Sequence, residues 1–442
     1  MGYMGYFFNL GGSLLGWIFI WDKQINFTTN ILKSRMMMAN TYLQVLCLSI
    51  CSLAIINTVS SANENYLPEA YHVSKTIVKN AVAKGAVCLD GSPPAYHFEP
   101  GFGDGAETWL VQLSGGEWCR DVEACLDRSK SDLGSSNVMG SWWFTGMFSK
   151  NQSGNPEFYN WNKVFIRYCD GGGFTGDVEY VDPATKLHFR GARIFKAVLD
   201  ELLEKGLKTA KSALLSGSSA GGFPAMLHCD YFRTLLPNTP RVKCMNDAGY
   251  FINPKEPFLT NFTELYTSLV TLHGSAKALP KECTSKMSPE LCFFPENMQQ
   301  YVKTPLFIAS SAYDKYQINS SIANGINTCI GYANCTAATN QTFLEFRSRF
   351  LNALPKPTNP KLKGVFIDSF NHHSQVQYWW SPINITTINN LTISKALADW
   401  FYDRNYTYVI HEHELPIPAL GVVKEEEHKA KEEQAPSAKS LT

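Results

Sequence analysis

The pentapeptide Gly217-Ser218-Ser219-Ala220-Gly221 constrains this chain more than any other feature. It matches G-x-S-x-G, and its flanks are the informative part. An apolar strand, Ala213-Leu214-Leu215-Ser216, leads in, and a helix carrying Ala225, Met226 and Leu227 leads out. So abrupt a turn from strand to helix leaves no room for side chains at its ends, which is the physical role of the two glycines. The turn lifts the Ser219 hydroxyl to the top of a sheet. It also aims the Ala220 N–H, at the helix start, toward a developing oxyanion.

The remainder of the chain agrees with a strand–turn–helix. Apolar segments at Thr108–Leu113, Val164–Cys169, Ala213–Ser216, Pro305–Ala309 and Gly364–Ile367 read as buried strands. Ile194, Val198, Leu199, Leu202 and Leu203 recur at helical spacing, and Gly206 follows as a stop. A further helix covers Ile393–Phe401. Strands alternating with helices imply an α/β-hydrolase-like fold, a mostly parallel central sheet flanked by helices, in a single large domain. With 442 residues, 45% of them hydrophobic, the chain can bury such a core. There are no internal repeats.

The ends have a different character. Leu43 to Ile56 is an apolar run with Lys33 and Arg35 upstream and the small residues Ser60 and Ala62 downstream, the composition of a signal peptide at 36–62. Residues 1–35 contain a second apolar stretch, Tyr6 to Trp21, too short for a regular membrane span. They read as an alternative start or extension, with membrane association expected only if they act as an anchor. The catalytic domain is expected over 63–410, and a charged, disordered tail over 411–442.

Cysteines and sequons point to the same compartment. Of twelve cysteines, Cys47 and Cys51 lie in the leader, and ten lie in the body. An even number without a C-x-x-C pair argues for disulfides and against a metal. Cys119–Cys125, Cys283–Cys292 and Cys329–Cys335 are plausible local loops; spacing does not decide the rest. N-x-[ST] acceptors begin at Asn151, Asn261, Asn319, Asn334, Asn340, Asn384, Asn390 and Asn405. Lys+Arg and Asp+Glu are equal at 39 each, and no basic patch suggests nucleic-acid binding.

A serine hydroxyl needs a base, and the base an orienting acid. In an α/β-hydrolase the chain order is Ser, then acid, then His. Among histidines after Ser219, His228 lies on the outgoing helix, too close in sequence to turn back. His372 and His373 follow the Gly364–Ile367 strand, in a loop at the sheet's carboxyl edge. Asp314 follows the Pro305–Ala309 strand in the same way and is the best acid. Asp247 and Asp368 are its rivals.

Longer motifs make a resemblance specific. They are Ala86-Val-Cys-Leu-Asp-Gly-Ser-Pro-Pro-Ala-Tyr-His97, Arg167-Tyr-Cys-Asp170, Phe174-Thr-Gly176, Phe189-Arg-Gly-Ala-Arg193, His228-Cys-Asp230, Asp247-Ala-Gly-Tyr-Phe251, Leu272-His-Gly-Ser-Ala-Lys277 and Cys283-Thr-Ser-Lys-Met287. With these motifs, from about Tyr66 to Tyr402, the chain resembles the plant pectin acetylesterases, a family similar in architecture to the animal carboxylesterase Notum. The resemblance implies hydrolysis of acetyl esters of cell-wall pectin by a secreted enzyme, expected to be a monomer, without metal or organic cofactor. It implies Ser219, Asp314 and His373 as the triad, choosing His373 over His372. It also implies Gly116 and Glu117 beside Ala220 in the oxyanion hole, and Trp118 against substrate.

Four departures from the family pattern stand out. Glu117 replaces the last glycine of the loop Ser114-Gly-Gly-Glu-Trp-Cys119, so a positive φ there would be costly and would set a carboxylate near the oxyanion. Ser218 replaces a cysteine. Pro224 sits early in the helix after Ser219, where its ring threatens a kink. Phe370 and Ser374 replace cysteines around the histidine, which predicts a looser loop. Two alternatives follow: a weakened homologue that binds wall polysaccharide, and a Notum-like deacylase with a deep apolar pocket.

Overall fold

The computed structural model describes residues 70–254, 258, 261–323, 325–356, 361–376 and 387–418. The leader, residues 1–35, Cys47, Cys51, Trp379, Trp380, Asn384 and the end of the tail lie outside the described residues.

Nine strands form the central sheet: β1 (Lys75–Ile77), β2 (Ala95–Glu99), β3 (Thr108–Leu113), β4 (Asn162–Ile166), β5 (Ser212–Ser218), β6 (Arg241–Asp247), β7 (Leu306–Ser311), β8 (Lys363–Asp368) and β9 (Tyr408–Ile410). Their spatial order is β9-β8-β7-β6-β5-β3-β4-β2-β1. From β9 to β4 every pairing is parallel, and β2 and β1 add an antiparallel edge. The five strands expected from sequence are all present, each within a few residues of its expected span.

β6 was missed because Lys243, Asn246 and Asp247 break its apolar run, yet all three are buried. The Lys243 ammonium reaches the Trp400 carbonyl at 2.6 Å and Asp403 at 2.7 Å, so its stem packs while its charge stays paired.

Helices cover the sheet: α1 (Val122–Arg128), α2 (Gly191–Glu204), α3 (Gly222–Leu227), α4 (Cys229–Leu235), α5 (Asn261–Leu272), α6 (Lys315–Ser321), α7 (Ala337–Ala353) and α8 (Ile393–Phe401). α2 buries Ile194, Val198, Leu199 and Leu202 in the larger core, and α8 buries Leu397, Trp400 and Phe401 in the smaller one. All described residues belong to one compact unit. Among them, no helix is long and apolar enough to cross a membrane.

Two expectations need correction. The chain does not leave the fold at Ile410: Ile417–Pro418 pairs with Phe370–Asn371, and Ser369 Oγ bonds the His413 carbonyl. The charge run begins only at Lys424, so composition placed the boundary too early. Pro224 does not kink α3. It lies in the first turn, where an N–H has no partner within the helix, so the ring removes nothing. The helix axis breaks later, at His228, which separates α3 from α4.

Five disulfides form, the three local loops among them. The other two are long-range, Cys88–Cys169 and Cys229–Cys244. Cys88–Cys169 closes a separation of 81 residues and ties the segment before β2 to the end of β4. Replacing both cysteines by serine is expected to cost about 4 kcal/mol by the loop-entropy rule. Thermal unfolding of the double variant should shift down by roughly 5–10 °C, and an unchanged midpoint would count against that role.

Candidate active site

The glycines of the elbow are there for steric reasons that the structure makes explicit. A Cβ on Gly217 would lie 1.9 Å from the Gly221 carbonyl oxygen, and one on Gly221 would lie 2.4 Å from that of Leu113. Ser219 itself adopts φ 57°, a left-handed conformation that an L-residue holds only under constraint from its surroundings. β5 thus ends with the Ser219 hydroxyl standing above the carboxyl edge of the sheet.

Two neighbouring loops complete a hydrogen-bonded chain. His373, after β8, sets Nε2 2.7 Å from Ser219 Oγ. Its Nδ1 lies 2.6 Å from Asp314 Oδ2. Asp314, after β7, caps α6 with its other oxygen, accepting from the N–H groups of Tyr316 and Gln317. One carboxylate therefore fixes a helix start and an imidazole together. Burial pulls the His373 imidazole down, but the Asp314 carboxylate outweighs it and holds the ring above its ordinary range. His228 and His273 are elsewhere, and burial pushes each down to about 4, so both stay neutral.

The acid's rivals have other partners. Asp368 meets His372 Nε2 at 2.9 Å and accepts from Gln375 Nε2 and the Phe370 N–H. Asp247 accepts from Ser218 Oγ at 2.6 Å and from the Gln375 N–H at 2.9 Å. Ser218 in turn accepts from Gln112 Nε2. The serine that stands for a cysteine is thus a link between the elbow and the histidine loop. Over its described residues, up to Val376, that loop is tied down: Asp247 and Asp368 hold it from both sides, and Ser311 bonds the Phe370 carbonyl. Sequence reasoning missed Gln112, Ser218 and Gln375 in this role, because their pairing needs three separate strand ends.

The segment after β3 faces Ser219. A Cβ on Gly115 would lie 2.6 Å from the Ser218 carbonyl oxygen and 2.8 Å from Ser219 Cβ. Gly116 takes φ 140° and Glu117 φ 58°. The positive φ makes Glu117 strained relative to glycine by about 1 kcal/mol. Among the described residues the Gly116 and Glu117 N–H groups are not used in backbone bonds. Arg128, which sequence gave no reason to select, clamps this loop by donating both terminal nitrogens to the Gly116 carbonyl. The disulfide Cys119–Cys125 joins the loop to α1 beside that clamp. Gly115→Ala is expected to push the loop off Ser219, and kcat should fall about 100- to 1,000-fold with a smaller change in KM. Near-parental kcat on a soluble acetate ester would show that the loop does not serve the reacting centre.

Trp118 borders a cleft of about 410 Å³ with Glu117, Arg120, Phe262, Leu265, Tyr316 and others. The Tyr316 ring lies 5.8 Å from the His373 ring and joins the cleft to the Ser219–His373–Asp314 chain. Behind Trp118, Phe251, Phe262, Tyr266 and Phe293 pack against one another. Cys119, Cys125 and His273 form the one grouping of metal-ligand type among the described residues. Its two sulfurs are joined in a disulfide, and His273 Nε2 meets the Cys119 carbonyl at 2.8 Å.

Comparison with known proteins gives the family and the fold. Residues 66–420 match the family model described as Pectinacetylesterase. Pectin acetylesterase 7 of Arabidopsis thaliana is 46% identical over 342 residues, spanning 75% of this chain and 88% of its own length. A palmitoleoyl-protein carboxylesterase, notum1', of Xenopus laevis is 32% identical over 254 residues, 53% of this chain and 51% of its own. A crystal structure of the Wnt deacylase Notum from Drosophila superposes with a TM-score of 0.65 over 78% of this chain and 98% of that one, at 23% identity. That last likeness concerns the fold.

Proposed function

The chain belongs to the pectinacetylesterase family, carboxylic ester hydrolases, and on that premise we propose that Ser219, His373 and Asp314 hydrolyse acetyl esters of pectin through an acyl-enzyme. The observation that carries the proposal is the unbroken hydrogen-bonded chain from Asp314 through His373 to Ser219.

Ser219 Oγ attacks the ester carbonyl carbon as its proton passes to His373 Nε2. The new oxyanion sits against the N–H groups of Ala220, Gly116 and Glu117, whose positions are set before substrate arrives. On collapse the carbon–oxygen bond to the sugar breaks, and His373 protonates the departing sugar oxygen. Water then attacks the acetyl-serine and gives a proton to His373, acetate leaves, and Ser219 Oγ is re-protonated. Asp314 holds the imidazole by Nδ1 and stabilises its cation in both steps.

A short acyl group suits the site. Glu117, Arg120 and Ser320 make the cleft beside it polar, which favours a short acyl group over a long apolar chain. Trp118 offers an indole to a sugar face. The polymer substrate, a mature enzyme from about residue 63, secretion to the cell wall and a monomeric state belong to the same reading. The disulfides support secretion, and so does the exposure of the sequon residues Asn151, Asn334, Asn390 and Asn405.

The test is acetate release from acetylated pectin by the secreted chain, beside turnover of p-nitrophenyl acetate and p-nitrophenyl palmitate. Acetate from pectin with little palmitate turnover is expected. Efficient palmitate cleavage without acetate from pectin would overturn the assignment in favour of a long-chain deacylase.

A further inference from the structure

Glu117, in the loop that faces Ser219, carries a side chain that the hydrolytic mechanism does not use. Its backbone sits at φ 58°, where glycine would be unstrained, so a side chain is held there at some cost. That side chain is exposed and lines the cleft shared with Trp118, Arg120 and Tyr316. Two of the cleft's lining residues lead toward Ser219 and His373. Gly115, two residues before Glu117, packs on Ser219 Cβ, and Tyr316 packs by the His373 ring.

No ion pair neutralises Glu117 among the described residues. The nearby guanidinium of Arg128 is directed at the Gly116 carbonyl and the Tyr168 ring. An unpaired carboxylate thus lines a cleft that reaches, through Tyr316, to the His373 ring.

Pectin units carry a second acid group of their own. The uronate carboxyl lies on the same ring as the acetyl ester, a few bonds from the reacting carbonyl, and is either a free anion or a neutral methyl ester. In the cleft that Glu117 lines, a free uronate would be repelled by the Glu117 carboxylate, whereas its neutral ester would not. Resting on the pectin reading above, we propose that Glu117 is a specificity-determining residue: it rejects a free uronate on the unit that bears the acetyl group, so the preferred substrate is methyl-esterified acetylated pectin. Arg120, on the same cleft, has the opposite influence.

The experiment uses the full chain from a secretory host and two acetylated pectins matched in acetyl content and length, one methyl-esterified and one not. Parental kcat/KM should be about five-fold higher on the esterified polymer, the effect of two unit charges roughly 4 Å apart in water, and the difference should lie in KM. Added salt should shrink it. Glu117→Gln should bring the ratio toward one; any change in absolute rate is common to both substrates and cancels. Arg120→Gln should raise the ratio. An unchanged ratio in Glu117→Gln overturns the proposal.

If neither pectin yields acetate, the substrate reading fails separately. Inhibition of p-nitrophenyl acetate hydrolysis then decides the role of Glu117. Oligogalacturonate should inhibit Glu117→Gln several-fold more strongly than the parent, with its methyl ester inhibiting both alike. Equal inhibition by oligogalacturonate would overturn the proposal.

Discussion

Ser219→Ala is expected to lower kcat on any acetate ester by about 10⁵- to 10⁶-fold while leaving KM within a few-fold. The substitution removes one oxygen from a side chain whose surroundings are fixed by other groups. The glycines at 217 and 221 hold the turn, and Ser218 and Asp247 hold its base. The fold should therefore be unchanged, and thermal unfolding is the control. His373→Ala should cost about as much, and the double variant little more than either alone, because nucleophile and base act in one step. Additive losses would mean that the two residues do not share a reaction, although their side chains stand 2.7 Å apart. Residual activity above the water reaction should persist in all three variants, since Ala220, Gly116 and Glu117 keep their N–H groups.

Asp314→Asn is expected to reduce kcat about 10⁴-fold and to move the acid limb of the kcat/KM profile to lower pH. The first effect comes from the tautomer. An amide that turns its NH₂ toward Nδ1 makes Nδ1 an acceptor and places the ring proton on Nε2, where it cannot accept from Ser219. The second comes from charge. Burial lowers the His373 pKa, and the Asp314 carboxylate now raises it above 6.5, so removing the negative charge leaves burial dominant.

The sign for stability is opposite to that for activity. A histidine whose folded pKa exceeds its unfolded value stabilises the fold below the unfolded value, and that contribution is lost as pH rises through the folded one. The parent should gain activity over the same interval in which it loses this increment. The variant should show neither change there. The substituted amide retains an oxygen to cap α6, so circular dichroism should match the parent. An acid limb that stays in place would exclude Asp314 as the group that sets the imidazole.

Much of this was readable along the chain because the relevant signals are local. Ser219 is flagged by a pentapeptide in which Gly217 answers a clash with an atom four residues away, while Gly221 answers one with Leu113 on the neighbouring strand. The α2 stripe from Ile194 to Leu202 and the β3 run from Thr108 to Leu113 carry their burial in their own periodicity. Asp314 and His373 could be narrowed down, since each follows a legible strand, although residues alone left His372 open. The structure separates the two histidines by the direction each takes from the loop: His372 faces Asp368, and His373 faces Ser219.

What depended on three dimensions is everything whose cause lies on another strand. β6 was hidden because Lys243 looks like a surface residue until the Trp400 carbonyl and Asp403 are placed at its tip. The links from Gln112 to Ser218 to Asp247 to Gln375, and the Arg128 clamp on Gly116, join segments that no sequence period connects. The pairing of Cys88 with Cys169 likewise follows from where β2 and β4 lie in the sheet. Sequence determined the fold class and singled out Ser219 and a disulfide framework, because turn sterics, hydrophobic period and cysteine parity are legible along the chain. Tertiary structure decided which charges are paired among the described residues, which loop bears on Ser219 and which carboxylate lines the neighbouring cleft, because those depend on contacts between residues far apart in the chain.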